Sequence, residues 1–208
     1  MDKFIERNGA PARRYYSGLD MEIETRAVDG TEEKQNVIKG YALKFEQKSS
    51  LLYGYFTEVI DKDALRGADM SETKCFFNHD RNLILGCVPA DTLLLRVDNV
   101  GLYYEATLPA TTYAQDLKVS IDRRDITGSS FAFSYLVDEW REMPDGTYER
   151  RVKEIDVVYD VSPVTFPAYK QSEVRCEPES FGEYLKTMNN RDWQNEYEAR
   201  QAIINSKF

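Results

Sequence analysis

One histidine serves the whole of a 208-residue chain. His79 stands in Cys75-Phe76-Phe77-Asn78-His79-Asp80, where an apolar run breaks into polar residues. No other side chain changes charge near neutral pH without help from its surroundings, so proton transfer there points to this imidazole. A hydroxyl nucleophile commonly depends on such a base to become reactive. The candidate hydroxyls lie in Gly128-Ser129-Ser130-Phe131-Ala132-Phe133, a small, serine-bearing segment entering an aromatic strand. Strand alternation puts Ser129 on the face of Phe131 and Phe133, and Ser130 on the other face with Ala132 and Ser134. With the phenylalanines in the core, Ser130 is the better nucleophile, and Gly128 lets a substrate backbone come close. The two residue types together point to a Ser/His hydrolase.

Such a pair usually needs a third group that fixes the imidazole tautomer and steadies its charged form. Asp160 attracts attention because Tyr159-Asp160-Val161-Ser162 sets a charge in an apolar strand, where it needs a partner. Asp156 and Asp80 are rivals, although Asp80 directly follows His79 and its side chain diverges from the imidazole in an extended segment.

Other chemistries have less support. One histidine and no paired carboxylate motif do not build a three-ligand zinc site, and no metal or cofactor is expected. Cys75, Cys87 and Cys176 are odd in number and lack metal or disulfide spacing, which suits a reducing compartment. A thiol nucleophile at Cys75 or Cys87 would sit in apolar surroundings, where thiols are usually inert. Neither GxxxxGK nor GxGxxG occurs. The net charge of −9 argues against a nucleic-acid partner. No apolar stretch of membrane-spanning length and no signal-peptide core is present, so neither a membrane partner nor export is expected.

The elements that must position these residues are mostly strands. Fourteen Tyr and ten Phe favour sheet structure. Residues 1–18 read as a flexible N-terminal arm with the basic-aromatic patch Arg13-Arg14-Tyr15-Tyr16. Strands are expected from Met21, from Val37 to Phe45, from Tyr53 to Ile60 and from Lys74 to Asn78. Leu93–Val97 and Leu102–Leu108 form a hairpin across Asp98-Asn99-Val100-Gly101. Tyr113, Leu117 and Ile121 recur every four residues and predict a short helix. The strand that follows from Phe131 turns back at Pro144-Asp145-Gly146, and a separate short strand is expected at Val161–Phe166. Ser180-Phe181-Gly182-Glu183 has the form of a capping box opening a C-terminal helix. The domain reading is therefore an arm at 1–18, a catalytic domain at 19–170 and a helical segment at 171–208.

The ordered set of Gly40-Tyr41-Ala42, Phe77-Asn78-His79-Asp80, Leu85-Gly86, Gly101-Leu102, Gly128 to Phe133, and Asp160-Val161-Ser162-Pro163-Val164-Thr165-Phe166-Pro167-Ala168 resembles the prohead maturation serine proteases of tailed bacteriophages. His79 precedes Ser130 by 51 positions and Asp160 follows it by 30. The resemblance implies a mainly β fold with flanking helices, an antiparallel barrel of the herpesvirus assemblin type. It implies Ser130 as nucleophile, His79 as general base and Asp160 as the orienting acid, where many relatives carry Glu. Ala132 stands where relatives often have Gly, and Pro163 follows the Val-Ser pair. Oxyanion donors are expected near Phe166–Ala168.

By the same resemblance the chain is a serine endopeptidase cutting scaffold and major capsid proteins, and itself, inside the assembling procapsid in the bacterial cytoplasm. A homo-oligomer is among the expected partners. The competing expectation is a non-catalytic β-barrel assembly component that binds scaffold or capsid subunits.

Overall fold

The computed structural model describes residues 3–6, 12–16, 21–27, 34–52 and 54–165. The fold is mainly β, with two sheets. The larger runs in the order β1 (Lys3–Glu6), β10 (Gly128–Glu142), β11 (Tyr148–Val164), β6 (Lys74–Phe77) and β7 (Asp80–Cys87). Two further strands join it, β2 (Ala12–Tyr16) on β10 and β5 (Phe56–Ile60) on β11. The smaller sheet runs β3 (Glu22–Ala27), β4 (Lys34–Lys44), β9 (Gly101–Thr107) and β8 (Leu93–Val97). Helix α1 (Thr112–Asp122) is the one α-helix among the described residues.

The long hairpin of β10 and β11 is the backbone of the larger sheet. Its turn follows from Pro144-Asp145-Gly146: Gly146 takes a φ of +78°, and the Asp145 carboxylate accepts from the Thr147 N–H at 3.0 Å and hydroxyl at 2.6 Å. The expected β8–β9 hairpin is also present, and Asp98 Oδ1 accepts from the N–H groups of Val100 and Gly101 at 2.8 and 3.1 Å. Gly101 has a second constraint. A Cβ there would lie 2.0 Å from the Leu43 carbonyl oxygen, so β9 can approach β4 only without a side chain.

A single buried cluster draws on both sheets and the helix. Ile38, Leu43, Leu102 and Tyr104 come from the smaller sheet, Phe131, Phe133, Val158 and Val161 from the larger. Ala114, Leu117 and Ile121 supply the stripe of α1, as their spacing predicts. Beside this cluster, Arg150 is wholly buried between Glu58 and Asp138, each 2.7 Å from its guanidinium, and lies over the ring of Tyr135, a member of the cluster.

Four expectations need correction. A closed antiparallel barrel ringed by helices is not what the described residues form, because closure requires a continuous ladder and none links the two sheets. Nor is the larger sheet purely antiparallel, since β11 pairs in parallel with both β5 and β6. The expected loose arm contributes β1 and β2, whose backbone groups find partners along β10. Val161–Val164 is not a separate strand but the end of the 17-residue β11. The capping box and the C-terminal helical segment at 171–208 lie outside the described residues.

Candidate active site

The β6–β7 hairpin closes on Phe77 paired with Asp80, leaving Asn78 and His79 as a two-residue loop. Both have positive φ, 54° and 58°. That is the geometry of a tight hairpin turn whose twist matches the strands it joins. Asn adopts it readily; His does so at a local cost of order 1 kcal/mol. Asn78 ties this turn to β11. Its N–H donates to the Pro163 carbonyl at 3.0 Å, its Oδ1 accepts from the Thr165 N–H at 2.8 Å, and its Nδ2 donates to the Thr165 hydroxyl at 3.0 Å.

The β10–β11 register prepares the surface under His79. Ser130 lies opposite Ser162, and Ala132 opposite Asp160. Directly opposed residues share a sheet face, so all four point the same way, with alanine leaving space where a larger residue would fill it. His79 lies across this face. Its Nδ1 is 2.5 Å from Asp160 Oδ1 and its Nε2 is 2.5 Å from Ser130 Oγ. Ser162 extends the row, donating to Asp160 Oδ1 at 2.8 Å. Exposure is 5% for His79 and Asp160 and 0% for Ser130 and Ser162.

A carboxylate on Nδ1 can only accept, so the proton belongs on Nδ1 and Nε2 is left with its lone pair toward the Ser130 hydroxyl. That is the tautomer able to withdraw a proton from Ser130. The parity reading also fits the other face: Ser129 points into the core, 2.8 Å from the buried Tyr104 hydroxyl.

The rival groups are elsewhere. Asp80 turns back on its own strand, accepting from the backbone and side-chain nitrogens of Asn82. Asp156 accepts from Ser134 at 3.4 Å. Cys75 is buried, and burial together with the nearby Asp160 charge pushes its thiol well above the ordinary range, away from thiolate chemistry. The expected oxyanion loop at Phe166–Ala168 lies outside the described residues. Among the described residues no cluster of three metal-ligating side chains occurs, and no helix is long and apolar enough to cross a membrane.

Two contributors to the cluster were given no role by sequence reasoning. Ser162 was visible only as part of a motif; strand parity two residues from Asp160 was the available signal. The role of Asn78 depends on recognising β7, which begins with the polar Asp80-Arg81-Asn82 and so conceals its strand character.

A buried hydroxyl, imidazole and carboxylate in one hydrogen-bonded row is the arrangement that serine hydrolases use. The chain belongs to the caudovirus prohead serine proteases, whose sequence pattern matches residues 21–187. No curated protein matches the chain. Among solved structures it is similar to the bacteriophage T4 capsid assembly protease gp21, with 12% identity and a TM-score of 0.45 over 75% of this chain and 99% of that one.

Proposed function

We propose that this protein is an endopeptidase of procapsid maturation in which Ser130 is the nucleophile, His79 the general base and Asp160 its orienting acid. One observation carries the assignment: the unbroken contacts from Asp160 through His79 to Ser130. The Ser130 hydroxyl attacks a peptide carbonyl as His79 Nε2 takes its proton. The resulting imidazolium, steadied by Asp160, returns the proton to the leaving amine and frees the acyl-enzyme for hydrolysis. Ser162 holds Asp160 with its oxygen aimed at the imidazole.

The substrates are scaffold and major capsid proteins, and the chain itself, cut inside the assembling procapsid in the host cytoplasm. Family membership supports this reading. Enclosure raises the effective concentration of protease and substrates, so a slow isolated enzyme suffices, and self-association would act in the same direction.

A fluorophosphonate probe tests the chemistry. It should label Ser130 in the wild type and fail in His79→Ala. Scaffold and capsid proteins incubated with wild type should yield fragments that Ser130→Ala does not produce. Processing and assembly unaffected by Ser130→Ala would instead identify a non-catalytic assembly component.

A further inference from the structure

The outer edge of the strand that carries Ser130 is taken by the chain's own N-terminal segment. β1 pairs antiparallel with β10 from Lys3 opposite Trp140 to Glu6 opposite Val137. β2 continues along the same edge, from Ala12 opposite Phe133 to Tyr16 opposite Ser129, and sets Tyr15 opposite Ser130. Ser130 itself is 0% exposed. A nucleophile in that condition meets no peptide until something moves.

The sheet limits what can move. On its other side β10 is paired with β11, which carries Asp160 and also holds β5 and β6. Displacing β11 would scatter Asp160 from His79 and detach the strand leading into the His79 turn. Among the described residues, by contrast, β2 is paired only with β10, over five residues. It can leave without disturbing any contact among Ser130, His79, Asp160 and Ser162. Its departure frees a row of backbone donors and acceptors flanking the nucleophile, a surface that an extended peptide recognises by adding a strand.

We infer that residues 12–16 occupy in cis the edge on which an extended peptide substrate docks, and that they must leave it before Ser130 acts. The inference rests on the assignment of Ser130 as nucleophile. The arm is an intramolecular competitor: it keeps the protease quiet until a substrate strand, at the high local concentration of an assembling shell, takes its place.

Prolines in the full chain test this. In an antiparallel ladder alternate residues turn their N–H toward the partner, so Arg14→Pro with Tyr15→Pro deletes a ladder bond whichever residue donates. Loss of one or two such bonds should accelerate fluorophosphonate labelling of Ser130 roughly tenfold. A synthetic peptide of residues 11–18 should slow it again. Ala12→Pro with Arg13→Pro provides the same test should the first pair impair folding. A second measurement requires no chemistry: in a Ser130→Ala background, a fluorescent 11–18 peptide should bind the proline variant and not the chain with an intact arm. If labelling and peptide binding are both indifferent to the prolines, the proposal is overturned. Failure of the nucleophile assignment has a different signature, an unlabelled Ser130 with arm-dependent peptide binding intact.

Discussion

Asn78 and Thr165 hold each other twice, the Thr165 N–H donating to Asn78 Oδ1 and Asn78 Nδ2 donating to the Thr165 hydroxyl. This reciprocal pair fixes the turn carrying His79 to the end of the strand carrying Asp160. Asn78→Ala removes both side-chain contacts and the residue type best suited to the positive φ. Small displacements of a catalytic base cost heavily, so kcat should fall roughly 10–100-fold with KM little changed. Asn78→Asp keeps the acceptor for Thr165 N–H and should retain more activity. Equal loss in the two variants would contradict this role.

Asp160 and Ser162 should differ in weight. Asp160→Asn presents an amide that can hold the wrong imidazole tautomer, and a loss of about 1,000- to 10,000-fold in kcat is expected. Ser162→Ala removes only a donor to the carboxylate and should cost roughly tenfold, the scale of one charge-assisted hydrogen bond. Steady-state kinetics on a scaffold-derived peptide give the order directly; a larger loss in Ser162→Ala would reverse the assignment.

The Arg150 site is structural. Arg150→Met leaves the buried Glu58 and Asp138 without its guanidinium, and should destabilise the fold by roughly 3–5 kcal/mol. The urea midpoint measures this. Adding Glu58→Gln and Asp138→Asn should recover part of the loss, because the penalty lies in buried charges that have lost the guanidinium.

Acid should weaken the fold through Asp61. Burial pushes its carboxyl upward, but Lys153, the Asp63 N–H and Arg151 outweigh that and hold it below the usual carboxylate range. A depressed folded-state value gives stability that is fully present above the unfolded value of about 4 and is lost as pH falls through the folded one. The urea midpoint should therefore drop as pH falls below about 4, and drop less in Asp61→Asn. Parallel declines in the two proteins would remove Asp61 from the explanation.

Much of the site was legible because it rests on local rules. Period-two alternation separated Ser129 from Ser130, and the charge of Asp160 in an apolar strand announced a partner. The α1 stripe and the β8–β9 turn were equally local. What escaped depended on pairing across long stretches of chain. Parallel registers between β11 and β6 leave no mark in either strand alone, yet they bring His79 to Asp160. β7 escaped because its first residues are exposed and polar, and with it went the turn that gives Asn78 its function. The N-terminal strands are short and carry no sustained period, and their order comes from an edge prepared far downstream.

β11 lies between β10, which carries Ser130, and β6, which leads into the His79 turn, and it is the last strand in chain order among the described residues. A chain that stops at residue 150 contains the imidazole and the serine but neither Asp160 nor most of the strand that lies between theirs. On the proposed assignment such a truncated chain holds nucleophile and base without the acid that orients the base, so cutting power would arrive only with the final strand.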